Sequence, residues 1–447
     1  MKQSSSNILL SLSPIDGRYR EEIKELSNYF SEYAYFKYRI LIEIKYLLKL
    51  SEVKITRKLN KKEELIIKNV ADNFSLRDAE RTKKIEEKTK HDVKAIEYFL
   101  KQTLDKTSLK DISHFIHFGL TSEDINNIAL RLMLKDANEN VILSELKKLN
   151  QIILNEYSKY KKLPMLARTH GKPAVPTTLG KEFLVFYKRL EIEIKILEKL
   201  IFRGKLNGAV GNYNALYFSN PKINWKKFSK DLLTQFNLNT SLVTTQIAPY
   251  EDIIYFFQTI QRINGIILDF NQDMWRYISD GYFIQVNIKN EIGSSTMPQK
   301  INPINFENSE GNIIIANSLI DGFTNKLPVS RLQRDLSGST ISRNFGVTLA
   351  HSLLAYKNTI NGLSRIKANE EKISEDLNSD YSILTEAVQI YLKKESIQNG
   401  YELIKKLTRG KNLDKNEFQK LINSLPIDKK QKVELLNLTP KNYSGVT

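Results

Sequence analysis

The chain has 447 residues, a formal net charge of +17, a hydrophobic content of 41% and no cysteine, which excludes a disulfide framework and a thiolate metal site. No apolar run approaches the roughly 18 residues of a membrane helix, and the patch at 8–10 is too short for a signal peptide. Lysines are spread along the chain and interspersed with glutamates, as in Lys61-Lys62-Glu63-Glu64, so the positive net charge does not predict a nucleic-acid surface. We expect a cytoplasmic protein with no membrane or nucleic-acid partner, whose positive field attracts small anions.

Proline placement predicts long helices. None of the 11 prolines lies between Pro14 and Pro164 or between Pro328 and Pro426, so these segments are free to be helical. Apolar residues recur there and elsewhere at steps of three and four, which is the spacing of one helix face. Three such stripes predict an all-α helical bundle without alternating strands. The stripes are Ile142, Leu146, Leu149 and Ile153; Phe183, Phe186, Leu190, Ile194, Leu197 and Ile201; and Ile253, Phe256, Ile260, Ile263, Ile267, Phe270, Met274 and Tyr277.

In chain order, the first candidate site is the turn Asp16-Gly17-Arg18-Tyr19, in which a guanidinium follows a turn signal. A helical pattern then spans residues 88–99 and contains His91.

The next segment, His114 to Asp124, holds two of the five histidines, His114 and His117. Their spacing could suit a metal, but no second pair of ligands accompanies them, so we predict no metal site and no cofactor. Thr121 and Ser122 precede two acids, which is the pattern of a helix N-terminus, and a free helix N-terminus binds carboxylate or phosphate.

Two glycine-rich segments in the middle of the chain read as loops. Residues 168–176 contain His170, which titrates near neutral pH and can serve as an acid or a base. Residues 207–214 lack the strand–turn–helix context of a dinucleotide fingerprint.

The most informative stretch is the loop at 293–303, Gly-Ser-Ser-Thr-Met-Pro-Gln-Lys-Ile-Asn-Pro. Two prolines and a glycine separate it from the helices on either side. It offers hydroxyls, free backbone N–H groups and the cation Lys300, a set that suits a negatively charged group and a proton transfer. On composition alone it could equally be an ordinary turn between helices.

This loop resembles the signature of the fumarase/aspartase superfamily, and its continuation, Ile304 to Asn312, is similar to the bacterial branch of the adenylosuccinate lyase family. The resemblance extends over nearly the whole chain. It implies elimination of fumarate from a succinyl-amine, with anionic nucleotides as substrates. One departure is Lys90, where the bacterial branch usually has asparagine.

The resemblance also implies the roles of individual residues. Ser294 matches the base, His170 the acid, and Glu307 the carboxylate that pairs with this histidine. Lys300 would stabilise the doubly charged carboxylate intermediate. The implied substrate-binding residues are Arg18, Tyr19, His91, Asp92, His117, Thr121, Ser122, Gln246, Ser295, Lys300, Asn302, Asn308, Arg334, Ser339, Thr340 and Arg343.

By the same resemblance, the long helices form a central bundle that assembles a homotetramer with active sites shared between subunits. We expect three helical domains, at 1–112, 113–362 and 363–447. Two alternatives remain open. Gln299 leans towards the argininosuccinate lyase family, because the adenylosuccinate family more often has histidine there. A basic helical scaffold or RNA-binding protein derived from a lyase is the other, although Ser294, His170 and Lys300 are all present.

Overall fold

The computed structural model describes residues 8–286, 297, 299–410 and 413–446, and helices dominate this part of the chain. Within these ranges no helix is both long enough and apolar enough to cross a membrane. In chain order the α-helices are α1 (Ser27–Phe30), α2 (Glu32–Glu52), α3 (Lys61–Asp72), α4 (Leu76–Thr89), α5 (Asp92–Leu104), α6 (Ser122–Ala137), α7 (Leu143–Tyr160), α8 (Leu179–Lys199), α9 (Asn214–Ser219), α10 (Trp225–Thr234), α11 (Glu251–Ser279), α12 (Ile304–Lys326), α13 (Ser337–Ser342), α14 (Phe345–Leu363), α15 (Glu370–Asn378), α16 (Thr385–Lys394), α17 (Gly400–Thr408), α18 (Lys415–Ser424) and α19 (Lys429–Leu436).

Shorter helical segments lie between these helices. A π-helical turn at Asn138–Ile142 joins α6 to α7. The 3₁₀ segments are Arg20–Glu22, Lys24–Leu26, Lys110–Phe115 and Tyr381–Leu384.

The predicted apolar stripes are confirmed as buried helix faces. On α11 the residues from Ile253 to Met274 in the stripe are at most 1% exposed, and Tyr277 is half-buried. The stripe on α8 is buried from Phe183 to Leu197. Ile201 was wrongly included, because α8 ends at Lys199 and this side chain is exposed.

Within the described residues, six short strands form three two-stranded sheets, which the sequence did not predict. They are β1 (Pro164–Thr169) with β2 (Lys172–Thr178), β3 (Arg203–Gly204) with β4 (Asn239–Thr240), and β5 (Phe283–Gln285) with β6 (Ile366–Ala368). The predicted loop at 168–176 is therefore the tip of a hairpin, and its prolines lie in β2. Proline is tolerated there because both strands of a two-stranded sheet are edge strands.

Contacts divide the chain into two compact units. Unit 1 comprises residues 1–146, 193–265 and 311–356, and unit 2 comprises residues 147–192, 266–310 and 357–447. The predicted three-domain boundaries stay a prediction. In unit 2, the helices after residue 380 surround a core of their own, to which Leu384, Val388, Leu392, Phe418 and Ile422 contribute.

In each unit a polar cluster lies among the apolar side chains of the long helices. In unit 1, Asn264 donates to Asn317 Oδ1 at 2.9 Å and to Ser352 Oγ at 3.1 Å, and accepts from Tyr356 Oη at 2.7 Å. In unit 2, Asn271, Ser309 and Thr359 form a closed triangle of hydrogen bonds. Buried polar groups must be satisfied, so such clusters fix the register in which the helices pack.

Replacing the hub of the unit 1 cluster should destabilise the chain. Asn264→Ala leaves Tyr356 Oη without its acceptor and opens a small cavity, so we expect a loss of about 2 kcal/mol or more in the free energy of unfolding. Urea denaturation measures this loss. Asn361→Ala, at an exposed position of α14, is the matched control and should shift the midpoint little. Equal midpoints for the two variants would contradict the role given to this cluster.

Candidate active site

A cleft of about 490 Å³ in unit 1 brings together six of the predicted binding residues. They come from three separate parts of the chain, at 91–92, 122 and 334–343, so only the fold makes them neighbours. The six are His91, Asp92, Ser122, Arg334, Ser339 and Arg343.

Asp92 is held by the buried Arg39 of α2. The guanidinium donates to Asp92 Oδ2 at 2.7 Å and to Asn126 Oδ1 at 2.8 Å, and it stacks 3.6 Å from the centre of the Tyr35 ring. Burial alone would raise the pKa of the Asp92 carboxyl, but the charge of Arg39 outweighs it and the pKa is lowered. Asp92 is therefore a fixed anion, and Arg343 approaches the same carboxylate at 3.9 Å.

His91 is the N-cap residue of α5, directly before the first helical residue, Asp92. Its Nδ1 accepts from the backbone N–H of Lys94 at 3.1 Å. The helical pattern predicted across residues 88–99 is wrong at this point, because α4 ends at Thr89 and Lys90 adopts a left-handed backbone with φ of 53°. Asparagine adopts that conformation more readily than other non-glycine residues, so Lys90 is strained by comparison.

Thr121 and Ser122 begin α6 as predicted, and a buried anion fixes this helix end. The Asp124 carboxylate accepts from the Thr121 backbone N–H at 3.0 Å, from the Asn207 N–H at 3.0 Å and from the Gly208 N–H at 3.1 Å. It also pairs with Lys205 Nζ at 3.0 Å, and both side chains are wholly buried. The glycine-rich segment 207–214 is thus a support for the helix N-terminus.

Arg334 lies at the centre of a second cluster in the cleft. It donates to Gln246 Oε1 and to Ser339 Oγ, each at 3.3 Å, and approaches Glu123 Oε2 at 3.5 Å. Burial raises the pKa of the Glu123 carboxyl, although Arg334 opposes this. The long donor distances of Arg334 leave its guanidinium able to rearrange around an anion.

The loop carrying Gln246 packs closely against residues 207–214. Gln246 Nε2 donates to the carbonyl of Ala209 at 2.9 Å. Gly211 has φ of +80°, and a Cβ at this position would collide with the carbonyl of Thr244, so only glycine allows this approach.

The remaining predicted residues of unit 1 do not line the cleft. Thr121 and Thr340 are the chain neighbours of lining residues, and Gln246 reaches it through Arg334. His117 is bound by Glu43 of α2. Arg18 is exposed, with its guanidinium 5.9 Å from the centre of the Tyr19 ring, and neither residue is among those that line the cleft.

The other predicted residues belong to unit 2. His170 is exposed at the hairpin tip, where it and Gly171 form the two-residue turn with φ of 52° and 73°. Glu307, in the first turn of α12, accepts from Trp275 Nε1 at 3.0 Å. Lys300 and Asn302 precede that helix, and Asn308 follows Glu307 within it. In the described part of the chain no hydrogen bond or ion pair joins His170 to Glu307, so their pairing stays a prediction. Ser294 and Ser295 lie outside the described residues.

A metal site does not emerge at the histidine pair. The His114 ring contacts the Phe115 ring at 4.3 Å, and His117 meets Glu43. Among the described residues, no cluster of three His, Asp or Glu side chains could hold a metal ion.

Sequence reasoning missed the residues of α2 that hold the site. Tyr35, Arg39 and Glu43 recur every four residues and lie on one face of this helix. The available signal in the sequence was that Arg39 and Glu43 are charged residues within an apolar stretch that includes Ile40. In the structure both residues are at most 2% exposed. Charged residues are almost never so buried unless they are paired.

The class of protein is a lyase, because the pattern of the family described as Lyase matches residues 17–316. A second pattern, described as Adenylosuccinate lyase C-terminal, matches residues 330–444. The chain belongs to the adenylosuccinate lyase family and is a carbon–nitrogen lyase.

Full-length relatives agree with this assignment. The chain is 44% identical over 441 residues to an adenylosuccinate lyase from Buchnera aphidicola of Acyrthosiphon pisum, covering 98% of this chain and 97% of the relative. Identity is 43% to the adenylosuccinate lyase of Haemophilus influenzae and 41% to that of Escherichia coli, with the same coverage in both cases.

Solved structures show the same fold at low identity. A fumarate lyase from Mesorhizobium sp. BNC1 superposes with a TM-score of 0.75 at 15% identity, covering 95% of both chains. A 3-carboxy-cis,cis-muconate lactonizing enzyme from Pseudomonas putida gives 0.75 at 17% identity, covering 94% of both chains.

Arg39→Lys should weaken substrate binding. Lysine keeps the charge but cannot donate in a fixed fork to Asp92 and Asn126 or stack flat on Tyr35. We expect KM to rise about 10-fold with a smaller change in kcat, as for residues that orient a binding group. Steady-state kinetics measure this. Arg276→Lys, the same change in an exposed pair with Asp280, is the control. A KM equal to that of the control would remove Arg39 from the site.

Proposed function

We propose that the chain splits adenylosuccinate into AMP and fumarate, and also splits the succinylated aminoimidazole carboxamide ribotide, both in cytoplasmic purine synthesis. The observation that carries this proposal is the full-length identity to adenylosuccinate lyases, including the C-terminal pattern. The Arg334 cluster supports it, because a guanidinium beside hydroxyl and amide groups suits a phosphate.

The reaction is a β-elimination. Ser294 removes a Cβ proton beside a carboxylate, and the electron pair is held as a doubly charged carboxylate intermediate near Lys300. The pair then forms the C=C bond of fumarate as the Cα–N bond breaks. His170 donates its proton to the leaving nitrogen, and Glu307 holds this histidine in its charged form. The exposed hairpin tip leaves the His170 imidazole accessible for that transfer.

The unit 1 cleft would bind the rest of the substrate. Thr121 and Ser122, at the N-terminus of α6, would hold a carboxylate of the succinyl group, since backbone N–H groups and the helix dipole favour an anion there. Arg334, Ser339 and Arg343 would bind the phosphate, together with Thr340, Arg18 and Tyr19.

A homotetramer with sites shared between subunits completes the proposal. Exposed apolar side chains of α12 support it, because Ile304, Ile314 and Ile315 are 57%, 53% and 47% exposed while Ile313 on the same helix is buried. Adjacent exposed isoleucines on a long helix are typical of a surface that a partner covers. Each site would then combine residues from different subunits.

The direct test is fumarate release from adenylosuccinate, with argininosuccinate in parallel. We expect release from adenylosuccinate alone and none from Ser294→Ala or His170→Gln, whereas Ser364→Ala, an exposed serine, should keep full activity. Ultraviolet absorbance follows the reaction. Release only from argininosuccinate would assign the chain to the sister family, and normal turnover by Ser294→Ala would refute the base assignment.

Shared sites predict complementation between variants. His170→Gln and Ser122→Ala should each be nearly inactive, but hybrids formed by co-expression should recover up to about a quarter of the wild-type turnover, because some sites then combine two intact segments. Activity assays on co-purified hybrids measure this, and light scattering gives the mass of the assembly. Hybrids no more active than the single variants, or a monomeric mass, would contradict shared sites.

A further inference from the structure

Glu43 is a fully buried carboxylate on α2, flanked by the buried Ile42 and Ile44. Burying an unpaired carboxylate costs several kcal/mol, so its partners decide why it is there. Among the described residues, its two hydrogen bonds are both to one residue. Its Oε2 accepts from the backbone N–H of His117 at 3.2 Å, and its Oε1 lies 2.5 Å from His117 Nδ1.

The backbone of His117 is held in an uncommon conformation. Its φ is 60°, which is unfavourable for a side chain larger than glycine and persists only where neighbours enforce it. Helix α2 enforces it at two points, because Tyr46 also donates to the carbonyl of Phe118 at 2.6 Å. This loop ends at Thr121, three residues after Phe118, and α6 begins at the next residue.

The contact also sets the charge of the ring. With Nδ1–H donating to Glu43, Nε2 is the nitrogen left for another group, and among the described residues it has no hydrogen bond. Burial alone would lower the pKa of His117, but Glu43 opposes it, with smaller contributions from Glu97 and Asp124, and the pKa is raised. The imidazole therefore keeps its proton to a higher pH than an ordinary histidine.

We propose that Glu43 is a positioning residue that holds His117 as an imidazolium, whose Nε2–H binds an anionic group of the substrate. This inference rests on the proposed function for the identity of that substrate. The anion is a carboxylate or a phosphate, since both occur in adenylosuccinate. Nothing in the elimination chemistry itself requires Glu43, so its effect is on binding and on the charge of His117.

The first test is the pH dependence of Glu43→Gln. Glutamine keeps the shape but loses the charge, so the pKa of His117 falls and the ring loses its proton at a lower pH than in the wild type. The ratio of variant to wild-type kcat/KM should therefore be higher at pH 6 than at pH 8, by up to about 10-fold. Glu43→Asp, which keeps a carboxylate, should recover part of the loss at pH 8.

The control is Glu52→Gln on the same helix, whose exposed carboxylate pairs with Lys49. Its ratio should not change with pH. A Glu43→Gln deficit that is the same at both pH values would indicate a purely structural role and overturn the proposal.

Binding of the two products at pH 8 identifies the anion and separates this proposal from the proposed function. Calorimetry with AMP, which has a phosphate but no carboxylate, and with fumarate, which has only carboxylates, needs no turnover. Weaker binding of AMP to Glu43→Gln assigns the phosphate, and weaker binding of fumarate assigns a carboxylate. Unchanged binding of both overturns the proposal, whereas a wild-type chain that binds both products but splits no adenylosuccinate refutes only the proposed function.

Discussion

The buried carboxylate of Asp124 fixes the arrangement on which the cleft depends. It accepts from backbone N–H groups of its own helix start and of the 207–208 segment, and pairs with Lys205. A buried charge is tolerated only when such partners surround it, so the loop and the helix cannot move independently without a large cost. The N-terminus of α6 is thereby held in place for an anion, with Ser122 in the lining of the cleft.

Helix α2 supplies the second constraint, and it acts through residues that touch no reacting atom. Arg39 holds Asp92 and Glu43 holds His117, one helical turn apart. The rigid helix thus orients two separate loops by charge-assisted hydrogen bonds, which are stronger and more directional than neutral ones. Left-handed residues at Lys90, His117 and His170 mark where the chain bends to present its polar groups.

The division of the candidate residues between the units fits the chemistry. The groups proposed for proton transfer and for stabilising the intermediate, His170, Lys300 and Glu307, belong to unit 2, while the groups proposed to bind phosphate and carboxylate belong to unit 1. An elimination needs few reacting groups but exact placement of a highly charged substrate, so most of the site is devoted to binding.

The sequence by itself determined the long helices, their buried stripes, the start of α6 and, through its motifs, the family. These follow from local rules, because helix periodicity, proline placement and capping residues act within a few positions. Only the tertiary structure decided which charges meet. Arg39 lies 53 positions from Asp92, Glu43 lies 74 from His117, and Lys205 lies 81 from Asp124. Such pairs form because burial removes water from both partners, and no local pattern records which distant partner the fold will bring.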